Sequence, residues 1–323
     1  MRLLRSSLLL AAVAFAQAPA QEVSPDNGIR IREFYRLASQ VQDRVWPNWS
    51  QAPDALLLVT PDHEFLTRHA TPNGFQPAGK DFVFRPRQFE PGLQATFPAF
   101  GNMPVMVIGE PKNTSSKTST PWLITLLHEH FHQLQYSQPG YYPGTEKLGL
   151  SKAGGGAMWM LNYPFPYDKA EVARGFADLR DLLHSTATER DPARLKTNAS
   201  AYIQARKKFF AQLSDDDRKY LEFQLWQEGI ARYTEIKVAE AAAAYRPSED
   251  YANLPDFTSF SGYGAKRLQG TLDELKSVDL KQRKREVAYS FGAVEGLLLD
   301  GLRPNWKAAY FTRPFALGTY FEE

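Results

Sequence analysis

Three of the chain's six histidines stand within five residues, at His128, His130 and His132, inside the segment TPWLITLLHEHFHQLQY (120–136). Two backbone geometries give this cluster different chemistry. On a strand all three rings share one face, as three solvated rings or three ligands, the latter suiting an oxygen-activating iron on a β-barrel wall. On a helix only His128 and His132 align, one turn apart, with Glu129 beside them. The flanking residues favour the helix. Ser119 and Thr120 offer N-cap oxygens, Pro121 suits a first helical position, and Pro139-Gly140 ends the run. On a helical wheel begun at Leu123, the residues Leu127, Phe131 and Leu134 lie within about 80° of the start. His128 and His132 follow at about 140° and 180°, and His130 turns away at about 340°.

Imidazoles one helical turn apart can reach the same ion, with Zn–N bonds of ~2.0 Å. Glu129 then stands beside the ion's open position, where it can take a proton from a polarised water whose pKa falls to about 7. His130 points away from the pair and is assigned to packing or to a hydrogen bond.

Zinc needs a third protein ligand. Gln135 and Gln138 stand where a nearby histidine-containing extension would continue, so the third ligand is sought farther along. Ser214 to Glu240 reads as a helix opened by a Ser214/Asp217 capping signature. On it Leu221, Leu225, Glu228 and Ala239 share one side. A carboxylate on an apolar face is costly unless it is paired or bound to a metal. A salt bridge from Glu228 to Arg232, one turn on, is the plain alternative. The small neighbours Gly229 and Ala231 permit the close helix approach that a shared ion requires.

His128-Glu129-x-x-His132, Glu228-Gly229-Ile230-Ala231 and Tyr289-Ser290-Phe291-Gly292-Ala293 together resemble the gluzincin zinc metallopeptidases, above all the aminopeptidase N and leukotriene A4 hydrolase group. The order of the motifs is similar, as is the spacing of 61 residues from Glu228 to Tyr289. The resemblance implies zinc held by His128, His132 and Glu228, with Glu129 as base and Tyr289 as catalytic tyrosine. A phenol donor beside the metal would suit a developing oxyanion; otherwise Tyr289 is a helix tyrosine whose hydroxyl meets water. Glu228 follows His132 by 96 positions, longer than in that group, and two inserted helices (Lys169 to Leu213) would account for the excess. The amine-recognising Gly-x-Met-Glu-Asn of the group is missing, and Gly101 to Glu110 occupies about its place. Asp273, in Gly-Thr-Leu-Asp, resembles the ligand of an aspartate class but lacks the Tyr-Gly that follows there. The likeness rests on short motifs within the last two-thirds of the chain.

The elements that must position these residues suggest an α+β fold. A small twisted β-sheet lobe packs on a mainly helical, zincin-like catalytic lobe. Ile29 to Val45 reads as a helix. Ala55 to Thr60, Asp81 to Pro86 and Pro104 to Glu110 read as strands separated by turn residues. Helices are expected over Pro121–Tyr136, Lys169–Ser185, Ala199–Leu213, Asp215–Ala244 and Glu286–Asp300, with Ser151 to Asp168 a long loop containing Gly154, Gly155 and Gly156. The boundaries are 1–20 for a signal peptide, 21–120 for the sheet lobe and 121–323 for the helical lobe, the two lobes forming one catalytic unit.

The first twenty residues have a basic start (Arg2, Arg5), a short apolar run and A-x-A spacing, the layout of a secretory signal peptide. Its apolar run is too short for a membrane anchor, and the chain has no cysteine for lipid attachment, disulfides or metal. Removing it takes two of 38 basic residues and leaves 36 against 36 acidic, a balance without the footprint of a nucleic-acid binder. The basic run Lys281 to Arg285 reads as a solvated stretch near a helix start. The expectation is a secreted or periplasmic zinc-dependent hydrolase, a metallopeptidase acting on a peptide or protein, with Pro104 to Glu110 pairing with the extended substrate. The alternative is a non-catalytic zinc-binding or interaction protein on the same scaffold.

Overall fold

The run Leu-Leu-Leu-Val shows no polar alternation, the pattern of a strand covered on both faces. In the computed structural model, which describes residues 21–151 and 155–322, it forms β1 (Leu56–Val59). The other strands are β2 (His63–Thr67), β3 (Gln76–Ala78), β4 (Phe82–Pro86), β5 (Gln94–Phe100) and β6 (Met103–Gly109). They form one sheet of order β3-β4-β2-β1-β6-β5, in which only β1 and β6 are parallel. Leu56, Leu58, Met106 and Ile108 face the large helical core, while Leu57, Val59, Val105 and Val107 face a smaller cluster with Phe75. The three expected strands are present. β6, however, has β1 on one side and β5 on the other, so it cannot accept an added substrate strand. The edge beside it is β5, which the sequence reading passed over.

Against the helical face of the sheet lie α1 (Pro25–Val45) and α2 (Ser119–Tyr136). Short helices α3 (Tyr141–Lys147) and α4 (Trp159–Asn162) follow, then α5 (Ala170–Thr188) and α6 (Pro192–Ala211) where two inserted helices are expected. α7 (Asp215–Gln224) runs through a π-turn (Leu225–Gly229) into α8 (Ile230–Ala241). The remaining helices are α9 (Glu249–Ala252), α10 (Tyr263–Ser277), α11 (Leu280–Arg283), α12 (Val287–Leu302) and α13 (Trp306–Tyr310). The chain is therefore α+β, a mixed sheet followed by a mainly helical part. α4 interrupts the expected loop, and Asp273 lies in α10, in keeping with the helix-like context of Gly270 to Asp273. Gly154 and the expected signal peptide lie outside the described residues.

α2 is the central helix, and every residue from Leu126 to Gln135 is buried. Leu123, Leu127, Phe131 and Leu134 form its apolar stripe, each contributing about 1.5–3 kcal/mol by burial. Its polar residues are pinned as well. The Gln133 amide donates to Ala55 O (2.9 Å) and Pro104 O (3.0 Å), tying the helix to the ends of β1 and β6. The start differs from expectation: Thr118 is the N-cap, and Ser119 and Thr120 lie inside the helix. Their hydroxyls are used in tertiary bonds, Ser119 to Asp256 (2.6 Å) and Thr120 to Thr258 O. Those bonds anchor the helix start to the segment after α9.

Candidate metal centre

α2 brings His128 and His132 to one side at helical spacing, their Nε2 atoms 3.2 Å apart. The facing element is the π-turn. Its extra residue per turn alters the register between α7 and α8, and Glu228 within it reaches 3.4 Å from His132 Nε2. One donor atom from each of His128, His132 and Glu228 lies within 4.8 Å of the others. This group can hold a metal ion.

The approach is close because two glycines meet. A Cβ added to Gly229 would stand 2.5 Å from the Gly292 Cα, and one on Gly292 would stand 2.7 Å from the Gly229 Cα. Both distances are far inside van der Waals contact, so any side chain at either position would push α12 off the π-turn and displace Glu228. Gly229 and Gly292 belong to the second and third sequence motifs.

The outer hydrogen bonds determine which way the imidazoles present their lone pairs. His132 Nδ1 lies 2.6 Å from Gln135 Oε1, and His128 Nδ1 lies 3.5 Å from Glu235 Oε2. Both oxygens are acceptors. The Gln135 amide orientation is itself set, since its Nε2 donates to Gln227 O (3.1 Å) and Tyr310 OH (2.7 Å). The Nδ1 of His132 therefore carries a hydrogen, and the two Nε2 atoms face each other beside the Glu228 carboxylate. Three potential ligand atoms brought this close suit a cation. Four ligands around zinc at ~2.0 Å stand about 3.3 Å apart, close to the 3.2 Å between the two Nε2 atoms and the 3.4 Å from His132 to Glu228. The arrangement of imidazole bonded outward to an oxygen is the usual support for a metal-ligating histidine.

Without a metal, a proton serves as that cation. Burial opposes charge on His132, but the Glu228 carboxylate, with Glu129, overrides it and raises its pKa to about 9. Glu228 shows the counterpart: burial pushes its pKa up, and His132 with Arg285 outweighs this and brings it to about 2. His130 behaves oppositely, as its position on the wheel implies. It stacks on Trp49, contacts the amides of Gln133 and Gln42, and burial lowers it to about 4. It is a core histidine.

Glu129 is buried beside the pair, and its Oε2 accepts from the Thr96 hydroxyl of β5 (2.8 Å). Tyr289, at the start of α12, stacks its ring on that of His128 (centroids 6.1 Å apart). Burial and the Glu228 charge push the phenol's pKa upward, so it stays protonated and able to donate. The alternative partner for Glu228 is not used. Arg232 pairs with Glu235 (3.0 Å) and Glu274 (3.6 Å), while Arg285 lies 3.4 Å from Glu228 Oε1. Asp273 bonds to Gln269 on the exposed side of α10 and takes no part in the cluster.

Four residues around the centre were missed in the sequence. Gln135 stands three residues after His132, where a helical partner belongs. Glu235 lies seven residues after Glu228, and its pKa is lowered by Arg267 and Arg232 against the effect of burial. Arg285 was grouped with a basic run, and Thr96 carries no local signal. No protein-family model matches the chain, and no curated protein or solved structure is significantly similar to it.

Proposed function

We propose that the protein is an exported zinc hydrolase whose substrate is a peptide or protein. The observation that carries this reading is the convergence of His128, His132 and the Glu228 carboxylate within 4.8 Å, with Glu129 beside the histidines on the same helix. Zinc held there would supply a Lewis acid for a water and for the substrate carbonyl. Thr96 holds one oxygen of Glu129, leaving the other to take the proton of the attacking water and return it to the leaving amine. The Tyr289 phenol donates to the carbonyl oxygen as negative charge develops on it. Glu235 and Gln135 keep both imidazoles in the ligating orientation. β5, the sheet edge carrying Thr96, is the strand beside which an extended substrate would lie. Export rests on the character of residues 1–20.

A structural, non-catalytic zinc site is the competing reading, and burial favours it. His128, Glu129 and His132 are 5–7% exposed. The cavity of about 470 Å³ lined by Arg206, Phe210, Glu222 and Phe321 contains none of the ligands. Metal analysis of the purified protein, followed by a peptide-library digest with wild type and Glu129→Gln, separates the two. The catalytic reading expects about one zinc per chain in both proteins and a drop of at least about a thousandfold in turnover for the variant. Full activity in Glu129→Gln, or no digestion by zinc-loaded wild type, would overturn it.

A further inference from the structure

Arg285 is the guanidinium that stands against the metal-site carboxylate of Glu228. Arg232 and Arg267 instead lie against Glu235, at 3.0 and 2.6 Å, away from the proposed ligands. Arg285 meets Glu228 only at 3.4 Å, longer than the 2.7–2.9 Å of a committed charge-assisted bond. Its side chain is 25% exposed against 16% for Glu228 and 6% for His132, so it stands outermost over the ligands. It precedes Tyr289 by one helical turn and interacts with that phenol. The two side chains therefore approach Glu228 together.

The backbone that delivers Arg285 is strained. Lys284 has φ 48° and ψ −125°, in a region that a side chain strongly disfavours. Such strain is of order 1–3 kcal/mol and persists only where surrounding structure enforces it. Here it turns the chain from α11 into the start of α12, bringing residue 285 inward while Lys281, Arg283 and Lys284 remain exposed.

The nearby carboxylates are committed. Glu129 accepts from Thr96, Glu228 faces His132, and Glu235 serves His128 and two arginines. No acid in the cluster is left to receive a substrate amine. A divalent ion on Glu228 would draw that carboxylate's charge and leave the fork of Arg285 free for another anion.

We infer that Arg285 is the anion receptor of this site, binding a carboxylate carried by the residue next to the scissile bond. This rests on the metallopeptidase reading and adds a substrate class to it. The carboxylate comes either from the peptide's free C-terminus or from an acidic side chain.

The test uses zinc-loaded Glu129→Gln protein, which binds without turnover, and calorimetric titration with three probes. These are N-acetyl-Ala-Ala-Phe as the free acid, the same peptide as its C-terminal amide, and N-acetyl-Ala-Ala-Glu amide. At least one carboxylate-bearing probe should bind about 10- to 100-fold more tightly than the Phe amide. Preference for the free acid identifies the terminal carboxylate, and preference for the Glu amide identifies a side chain. Adding Arg285→Met should bring the ratio to about one, and Arg285→Lys should restore part of it, with zinc content equal in all three proteins. Equal binding of all probes by the parent, a ratio retained in Arg285→Met, or a ratio lost only together with zinc in both variants overturns the receptor and leaves the peptidase reading standing. Failure of every probe to bind overturns both.

Discussion

α12 touches two buried charge clusters, and they are built in opposite ways. Toward its C-terminal half, Glu295 meets Arg206, which also binds Glu222 with Nη1 and Nη2 at 2.6 and 3.0 Å. Tyr202 donates to Glu295, and the Gly318 N–H donates to Glu222 (2.9 Å). Donors and acceptors are matched, and the result ties α6, α7, α12 and the C-terminal segment together. Near the other end, Tyr289 stacks on His128, where His128, His132 and Glu228 bring three possible ligand atoms within 4.8 Å. Burial is similar in both clusters. A buried network of matched donors and acceptors holds a fold together, whereas ligand atoms gathered at one point can also take up a metal ion.

The sharpest way to break this contrast is at Arg206. Arg206→Met leaves Glu222 and Glu295 buried without their partner and should destabilise the protein by about 3–5 kcal/mol in denaturant titrations. Zinc affinity of the folded variant should stay within about threefold of wild type. A large loss of metal with little loss of stability would mean that the two clusters are not separate in role.

A smaller effect is expected at the support of the open cluster. Glu235→Gln removes the charge behind His128 and should weaken zinc binding about 10- to 100-fold in chelator competition. An unchanged affinity would show that Glu235 serves only its arginine pairs.

The pH dependence is gentler at each step but runs over several pH units. Metal must displace the proton that His132 holds with its pKa raised to about 9. Apparent zinc affinity should rise about tenfold per pH unit toward pH 9 and then level off. Glu228, lowered to about 2, is already ionised and adds no slope there. The same pair has a sign in stability. With the folded pKa of His132 above its unfolded value of about 6.5, its contribution to the metal-free protein is complete below pH 6.5 and is lost as pH rises through 9. Glu228 contributes above about pH 4.3 and loses that contribution as pH falls through about 2. Thermal melts of metal-free protein from pH 6 to 9.5 should show declining stability, and a rise would contradict the assignment.

Much of the site was legible because helical spacing is local. His128, Glu129 and His132 follow from period and capping. Gly229 and Gly292 were marked by motifs whose physical meaning, backbone against backbone, became visible only when the two helices met. β5 was not legible, since Pro98 interrupts it and proline demotes a strand. An edge strand tolerates that residue because its outward N–H has no partner to lose, and β5 is such an edge. Arg285 was hidden by its neighbours, for the basic run is solvated at 281, 283 and 284 and only its last member turns inward.

The sequence alone determined the spacing of the two imidazoles, the carboxylate beside them and the small residues that allow close approach, because these depend on periodicity along one helix. Tertiary structure alone decided that Glu228 rather than Asp273 reaches the pair, that Glu235 and Gln135 orient the rings, and that β5 rather than β6 forms the edge. Those outcomes depend on a π-turn and the packing of distant segments, neither of which leaves a periodic trace in the chain.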